Sequence, residues 1–592
     1  MERKQGMRSA SEKAASFNKH FKERTNRQHA LSFAACVHCG MCNESCHYYL
    51  ATGDPSMTPA AKVDKIRRIY KAQNDWLGKL VPGWVGAREM KTDADLEALK
   101  DVVFGSCSGC RRCTVNCPFG VDTAILIGLA RSCLVDEKVA PEGILSVMKD
   151  QWEWGNQMAI PKEEYLETLA WVEEELQAEL DDASAKIPID KEGADFVYVV
   201  NPREIKYSPM SLQAAAKIFH VAGLNWTMGS EGWDNTNFGL FSGKADLGGH
   251  MGNLAYNHAK KLGVKRMVVS ECGHGLRSTK WEAPNWGKAN PLPFEIVSML
   301  EVMVDLINTG KIILDPNKNP HPVTYHDPCN LSRSAGITEE PRFCLKRACK
   351  DFREMTPNRA DSFCCTGGGG GMSMAEYAKR RVSVGSVKAE QIKATGAAIV
   401  ATACHNCVDG LTDVIKHYEL KYDFGNGKPQ FLKVPNICEL VGDAIVVPKD
   451  LPKGKPVTRE RFKGKKILVI DDSPDIVAYL KTLLEDNHYQ IITAHDGAAG
   501  LAKAKSERPS LITLDITMPG KSGIQVFQEL RSIPELEGTP VFIITGQIDF
   551  RQLMYQKKVQ APEGFMSKPI DEDVLLMTVE RLLHYTKHKS AN

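Results

Sequence analysis

Thirteen of the eighteen cysteines fall into three groupings whose spacing suits iron–sulfur ligation. The first is Cys36-Val-His-Cys39-Gly-Met-Cys42-Asn-Glu-Ser-Cys46, and the second is Cys107-Ser-Gly-Cys110-Arg-Arg-Cys113-Thr-Val-Asn-Cys117, followed by Pro118. Both read C-x2-C-x2-C-x3-C. In such a run three close thiolates take three corners of a 4Fe–4S cube, and the fourth cysteine serves the other cluster of a pair. The crossover assigns Cys36, Cys39, Cys42 and Cys117 to one cubane, and Cys107, Cys110, Cys113 and Cys46 to a second. The third grouping is Cys329, the adjacent pair Cys364-Cys365, and Cys404-His-Asn-Cys407. Structural zinc, the competing use of clustered cysteines, favours paired C-x2-C units. A chain with this inventory is expected to move electrons.

The elements that must position these residues divide along the chain. Residues 1–30 carry eight Lys/Arg against three Asp/Glu and read as a basic tail, either solvated or a frayed helix, with docking on a membrane or partner surface as the alternative. Residues 31–150 hold both four-cysteine runs. Between them, Pro59–Tyr70 has apolar positions at helical spacing behind a Thr58 cap, with proline in the first turn, and Asp93–Val103 reads similarly. An all-helical ferredoxin domain with two clusters is expected. His47 follows Cys46 where Pro118 follows Cys117, so the two clusters need not have equal potentials. Residues 151–194 are acidic and read as a helical connector. Residues 195–445 read as two copies of one α/β unit, with short β-branched runs alternating with helices, and hence parallel sheets that bind ligands at strand carboxyl ends. Cys272, Cys329 and Cys404 fall at such ends, and the first copy has lost nearly all its thiolates. Residues 446–464 are a Pro/Lys-rich linker, and 465–592 form a further domain.

Composition sets the bounds. The chain has 592 residues, 43% hydrophobic and 25% charged, which suits three to five globular domains. A net charge of +2 gives no pointer to nucleic acid. No secretory signal is read at the N-terminus and no apolar run of membrane-spanning length is present, so a cytoplasmic location is expected.

Adjacent cysteines are awkward ligands for one ordinary cube, because neighbouring side chains in an extended segment diverge. Five thiolates also exceed the four a cubane takes. The run Gly367–Gly371 lets backbone amides approach sulfide closely, and it is not a phosphate loop, since no Gly-Lys-Ser/Thr follows. Residues 31–445 resemble the iron–sulfur subunits of heterodisulfide-reductase-like complexes, whose CCG domains carry a cysteine, a Cys-Cys pair and a C-x2-C. Gly53-Asp-Pro, Glu271-Cys-Gly-His and His326-Asp-Pro-Cys329 are similar to the cytoplasmic subunit of the Dsr, Hmc and Tmc membrane complexes of sulfate reducers. The resemblance implies that Cys329, Cys364, Cys365, Cys404 and Cys407 hold a CCG-type 4Fe–4S cluster, which in that superfamily can be noncubane and cleave a disulfide in two one-electron steps. Cys364-Cys365-Thr-Gly departs from the Cys-Cys-Gly pattern.

Cys272 reads as a further thiol near that site, able to form a mixed disulfide, or else as a buried vestige. His326, His405 and His274 lie beside cysteines, where each is either a structural neighbour or a proton donor to a departing thiolate. Cys133, Cys344, Cys349 and Cys438 show no ligand spacing and read as structural.

Residues 465–585 alternate strand, loop and helix five times and are similar to response-regulator receiver domains. The carrying segments are Lys466-Ile-Leu-Val-Ile-Asp471-Asp472, Leu511-Ile-Thr-Leu-Asp515, Val541-Phe-Ile-Ile-Thr545 and Phe565-Met-Ser-Lys568-Pro569. Asp471, Asp472 and Asp515 offer the hard oxygens Mg²⁺ requires. The resemblance implies that Asp515 accepts a phosphoryl group, Lys568 pairs with it, Thr545 reorients and Phe565 is the aromatic switch. A histidine kinase is the implied donor. No DNA-binding output domain is read after it.

The expected architecture is therefore multidomain: an all-helical two-cluster ferredoxin domain, a duplicated α/β CCG domain and a doubly wound (βα)5 receiver. The expected function is that of a cytoplasmic electron-transfer subunit of anaerobic respiration, docked on a membrane cytochrome b or quinone-reactive partner. It would reduce or oxidise a disulfide or trisulfide of a DsrC-like thiol protein or a thiol cofactor. The alternatives are a relay without thiol chemistry, of the lactate, glycolate or flavoprotein-to-quinone type, and a redox sensor reporting to the receiver.

Overall fold

The computed structural model describes residues 9–589 apart from 426, 450, 452, 456–461, 463 and 547–561, with the side chains of 573 and 585–589 set aside. The chain divides into two compact units. The first comprises the residues up to Ala159, Pro188–Asn201 and Val221–Lys449, and the second Ile160–Ile187, Pro202–His220 and the residues from 450 onward. The linker expected over 446–464 falls partly outside the described residues.

The first unit opens all-helical. Helix Ala10–Arg24 starts on a Ser9/Glu12 capping box and buries Ala14, Phe17 and Phe21 on one stripe. Within the segment read as a solvated tail or frayed helix, residues from Ala10 onward form this packed helix. Its charges lie on one face while the two phenylalanines, fully buried, anchor the other. Helix Pro59–Asn74 has its Thr58 cap and proline start, and helix Asp93–Lys100 follows a Thr92 cap. Helix Thr123–Asp136 is buried nearly all round and takes the central place.

Two parallel sheets follow. Strands β1 (Phe196–Val199), β2 (Trp226–Met228), β3 (Arg266–Val269) and β4 (Glu295–Ser298) run in the order β2-β1-β3-β4. Strands β5 (Val323–His326), β6 (Phe352–Arg353) and β7 (Ile399–Thr402) run in the order β6-β5-β7. Their near-continuous apolar runs suit parallel strands covered on both faces. A two-stranded hairpin, β8 (Lys421–Tyr422) with β9 (Gln430–Phe431), completes the unit. Cys272, Cys329 and Cys404 lie two or three residues past β3, β5 and β7, each where a helix begins.

In the second unit, β10 (Lys466–Ile470), β11 (Gln490–Ala494), β12 (Leu511–Leu514), β13 (Val541–Thr545) and β14 (Gly564–Ser567) form a parallel sheet in the order β11-β10-β12-β13-β14. Alternate residues of β10 feed two cores. Leu468 and Ile470 face one, Ile467 and Val469 the other. The helix expected between β13 and β14 lies outside the described residues. Helix Lys162–Leu180 belongs to this unit and meets helix Glu572–Lys589, with His584 Nε2 3.2 Å from Glu174 Oε2. No helix among the described residues is long and apolar enough to cross a membrane.

Candidate functional site

Two sulfur-lined cavities open in the helical part of the first unit. One is lined by Cys36, Cys39, Cys42 and Cys117, the other by Cys46, Cys107 and Cys110, and Cys113 lines both. Each thus combines the close cysteines of one run with the last cysteine of the other. Left-handed turns at His38, Gly40, Gly109 and Arg111 wrap the runs, and the Gly109 amide donates to Cys107 Sγ at 3.4 Å. The short helix His47–Thr52 begins directly after Cys46.

Electrostatics test whether these residues fit clusters. All the cysteines are free of disulfides. Burial pushes the Cys113 thiol well above its ordinary value, and the neighbouring Cys110 and Cys107 push it further. Burial likewise raises Cys107, while contact with Cys364 and then burial raise Cys110. Thiols this crowded cannot all ionise without a cation among them, and an iron–sulfur core is such a cation. Lys62, 3% exposed, holds its Nζ 3.4 Å from Cys46 Sγ. The donor set fits.

The third grouping converges in the β6-β5-β7 lobe. Cys365 Sγ donates to Cys407 Sγ at 3.1 Å, and a ring nitrogen of His326 joins those two sulfurs within 4.8 Å. Cys404 bonds with Cys407, and Cys329 is raised by burial and then by the charge of Cys364. The Cys365 thiol is drawn down by contacts with Cys364 and Cys407, and Cys404 by its contact with Cys407. Contacts with Cys365 and Cys404, and then burial, push the Cys407 thiol well up. His326 is 1% exposed, and among the described residues neither ring nitrogen has a hydrogen-bond partner. Burial, then Lys388, holds it neutral. An orphaned imidazole aimed at a sulfur cluster of five thiols again fits a resident metal centre. Buried Lys388, pulled down to about 8 by burial, adds a cation nearby.

The glycine run serves close approach. A Cβ on Gly367 would meet Asn406 O at 2.3 Å, and one on Gly369, at φ +65°, would meet Ser108 O at 2.4 Å. The Cys364–Gly369 loop therefore lies backbone-to-backbone against the Cys107–Cys110 loop. Spacing gave no sign of Ser108, Lys62 or Lys388, which reach the thiols only through the fold.

Cys272, 1% exposed, sits in the other lobe with Asn201 Nδ2 and His274 Nδ1 each 3.4 Å from its sulfur. His274 also bonds to Cys404, so Cys272 stands one side chain away from the five. His405 lies 3.2 Å from Asn436 Nδ2. Glu271 accepts the amides of Ile437 and Cys438 and so caps helix Ile437–Ala444. Cys133, Cys344, Cys349 and Cys438 are buried.

In the second unit, carboxylate oxygens of Asp471, Asp472 and Asp515 come within 4.8 Å of one another. Lys568 Nζ donates to Asp471 Oδ2 at 2.7 Å and to Asp515 Oδ2 at 2.6 Å. Burial raises the Asp471 carboxyl against the pull of Lys568. Burial would lower Lys568, but its bonds to both carboxylates hold it above its ordinary value. Thr545, fully buried, ends β13, and Phe565 on β14 packs half-buried against one core.

Three family models match: a 4Fe-4S dicluster domain over 32–121, a cysteine-rich domain over 323–411 and a response regulator receiver domain over 467–580. They indicate 4Fe–4S clusters in the first two regions and Mg²⁺ in the third. An Hdr-like menaquinol oxidoreductase iron-sulfur subunit of Archaeoglobus profundus is 27% identical over 71% of this chain and 81% of its own. A subunit of the dihydromethanophenazine:CoB–CoM heterodisulfide reductase of Methanosarcina barkeri is 28% identical over 70% of this chain and 94% of its own. Protein PilH of Pseudomonas aeruginosa is 34% identical over 20% of this chain and 97% of its own. Over most of its length the chain is similar to heterodisulfide-reductase-like iron–sulfur oxidoreductase subunits, and its residues 467–580 belong to the response regulator receiver family.

Proposed function

We propose that this subunit exchanges electrons between a membrane-bound quinone- or cytochrome b-linked partner and a disulfide or trisulfide. The sulfur substrate is carried by a DsrC-like thiol protein or a thiol cofactor. One observation carries the reading. Cys329, Cys364, Cys365, Cys404 and Cys407 converge, one thiol more than a cubane needs, against the loop of Cys107 and Cys110. The chain's resemblance to a menaquinol oxidoreductase subunit and to a heterodisulfide reductase subunit supports both ends of the exchange.

In this reading Cys36, Cys39, Cys42 and Cys117 hold one cubane, and Cys46, Cys107, Cys110 and Cys113 a second. The five cysteines hold the CCG cluster, in noncubane form. Bound clusters supply one-electron transfer at potentials set by burial and hydrogen bonding. Disulfide reduction takes two electrons and two protons and yields two thiols. His326, His405 and His274 surround the thiols where protons are needed, and Cys272 is placed for a mixed disulfide with substrate through the His274 side. The two parallel-sheet lobes represent a duplication in which the first copy kept Cys272 alone. The subunit sits at the cytoplasmic face of the membrane through its partners.

The receiver regulates this exchange. Asp515 takes a phosphoryl group from a histidine kinase with Mg²⁺ held by Asp471, Asp472 and Asp515, Lys568 pairs with it, and Thr545 and Phe565 shift in response.

A second reading, a pure electron relay, is favoured by the loss of ligands from the first lobe. The two separate in one assay. Full-length protein reduced by a viologen dye is given an oxidised thiol protein, and released thiols are counted against dye electrons. One thiol per electron, lost in Cys365→Ser, supports the disulfide site. Electron passage to a quinone with no thiol released supports the relay.

A further inference from the structure

We propose that Arg131 and Arg333 are positioning residues that clamp the Cys107–Cys110 loop to the Cys364–Cys365 loop and raise the reduction potentials of the centres these loops hold. For the Cys364 centre this rests on the function proposed above. For the Cys110 centre it stands on the dicluster domain alone.

Arg131, on helix Thr123–Asp136, is 3% exposed, and its guanidinium is spent on main-chain carbonyls. Nε donates to Val103 O at 2.8 Å, Nη1 to Phe241 O at 2.9 Å and Gly369 O at 2.8 Å, and Nη2 to Cys107 O at 2.7 Å. Arg333, on helix Cys329–Ala335, repeats the pattern. Its Nη1 donates to Cys110 O at 3.0 Å, its Nε to Ala360 O at 2.6 Å and its Nη2 to Ser362 O. Each guanidinium thus joins the carbonyl of a cysteine in the second run to a carbonyl flanking the cysteine pair. Arg333 takes the N-terminal flank, at Ser362, and Arg131 the C-terminal flank, at Gly369. The planar fork makes such bridging possible where an ammonium would not.

The charge is the second half of the inference. Among the described residues the side-chain bonds of both arginines go to main-chain carbonyls and none goes to a carboxylate. Burying a cation without a counter-charge is costly, which applies in full to Arg131 and in part to the half-buried Arg333. Thiolate-ligated centres on both loops are the anions within reach, and the charge of Cys107 acts on Arg131 as that of Cys110 and Cys329 acts around Arg333. A centre that accepts one electron gains one negative charge and releases no ligand. A fixed cation beside it favours the reduced form and raises its potential. Lys62 and Lys388 also lie near thiols, but neither spans the two loops.

The test uses anaerobically purified full-length protein carrying Arg131→Gln, Arg333→Gln or Arg131→Lys, with iron and sulfide content measured. Redox titrations followed by EPR read each centre, with signals assigned beforehand through Cys39→Ser and Cys110→Ser. The Gln variants are expected to move the Cys110 centre to lower potential and leave the Cys39 centre unmoved. Arg131→Lys is expected to keep a potential near wild type at neutral pH and to lose it as pH rises and the buried ammonium deprotonates, a pH dependence that arginine lacks. Fully loaded Gln variants with an unmoved Cys110 centre overturn the proposal. If the Gln variants fail to hold iron, an Arg131→Lys profile indistinguishable from wild type overturns it and a pH-dependent one upholds it. A wild-type protein without any Cys364-centre signal, with or without added thiol, defeats the disulfide reading, while the shift at the Cys110 centre still decides the clamp.

Discussion

Ser108 Oγ stands 3.4 Å from Cys364 Sγ, a contact across 256 residues of sequence that joins the second cysteine run to the cysteine pair. The Cys364 thiol donates to that hydroxyl, which can turn to donate once the sulfur is a thiolate ligand, and the Thr366 amide donates to the same sulfur at 3.3 Å. Hydrogen bonds to a ligand sulfur stabilise the thiolate and tune its centre. Ser108→Ala removes one bond, worth about 1 kcal/mol, which is roughly 40 mV for a one-electron couple. A redox titration should show the Cys364 centre moved by that order, with iron content retained and the Cys39 centre unchanged.

Thr366 occupies the position where the related pattern has glycine, and it does so with φ +70°. A β-branched residue there carries roughly 1–2 kcal/mol of strain. Its hydroxyl offsets part of that by accepting from Arg381 Nη1 at 3.2 Å. Thr366→Gly trades the two effects and should change thermal stability by less than about 1 kcal/mol. Thr366→Val keeps the strain and leaves Arg381 short of an acceptor, so a loss of about 1–3 kcal/mol is expected. Comparable melting shifts for the two would contradict this placement of the hydroxyl.

Arg342, 1% exposed, makes paired bonds to Asp327 at 2.8 and 2.9 Å and to Glu354 at 2.8 Å. Asp327 lies between His326 and Pro328-Cys329, and also accepts the Arg359 amide at 2.7 Å. Arg342→Ala leaves a buried carboxylate without its cation, at a cost of about 3–5 kcal/mol. Iron analysis should show the Cys329 centre lost while both dicluster signals persist.

The receiver site should lose Mg²⁺ as pH falls, and earlier than ordinary carboxylates would dictate. Burial raises Asp471, so it takes up a proton above the usual carboxylate range, and a protonated carboxyl is a poor Mg²⁺ ligand. Calorimetric Mg²⁺ titrations from pH 8 downward should weaken on approach to that range. Asp471→Asn should bind weakly at every pH with a flatter profile. Acetyl phosphate with Mg²⁺ should label wild type and not Asp515→Asn.

Much of the site could be read from spacing because its ligands come in short runs. The two four-cysteine runs meet in two shared cavities, and the strand-end cysteines sit where a parallel sheet binds ligands. What spacing could not reveal depends on chain segments that meet only in the fold. Arg131 and Arg333 belong to no motif, and only the approach of Gly369 to Ser108 gives them a purpose. The N-terminal charge count outweighed Phe17 and Phe21, whose spacing of four is a helical stripe. Likewise the grouping of 160–187 and 202–220 with the receiver follows from packing that composition does not record.

The most direct measurement is low-temperature EPR on anaerobically purified, oxidised full-length protein, with and without a candidate thiol. A paramagnetic signal that appears with thiol and is lost in Cys364→Ala is the expected result, since the five-cysteine centre would then bind the sulfur substrate itself. Signals from reduced cubanes alone, unmoved by thiol, would contradict a disulfide site and leave the subunit an electron relay.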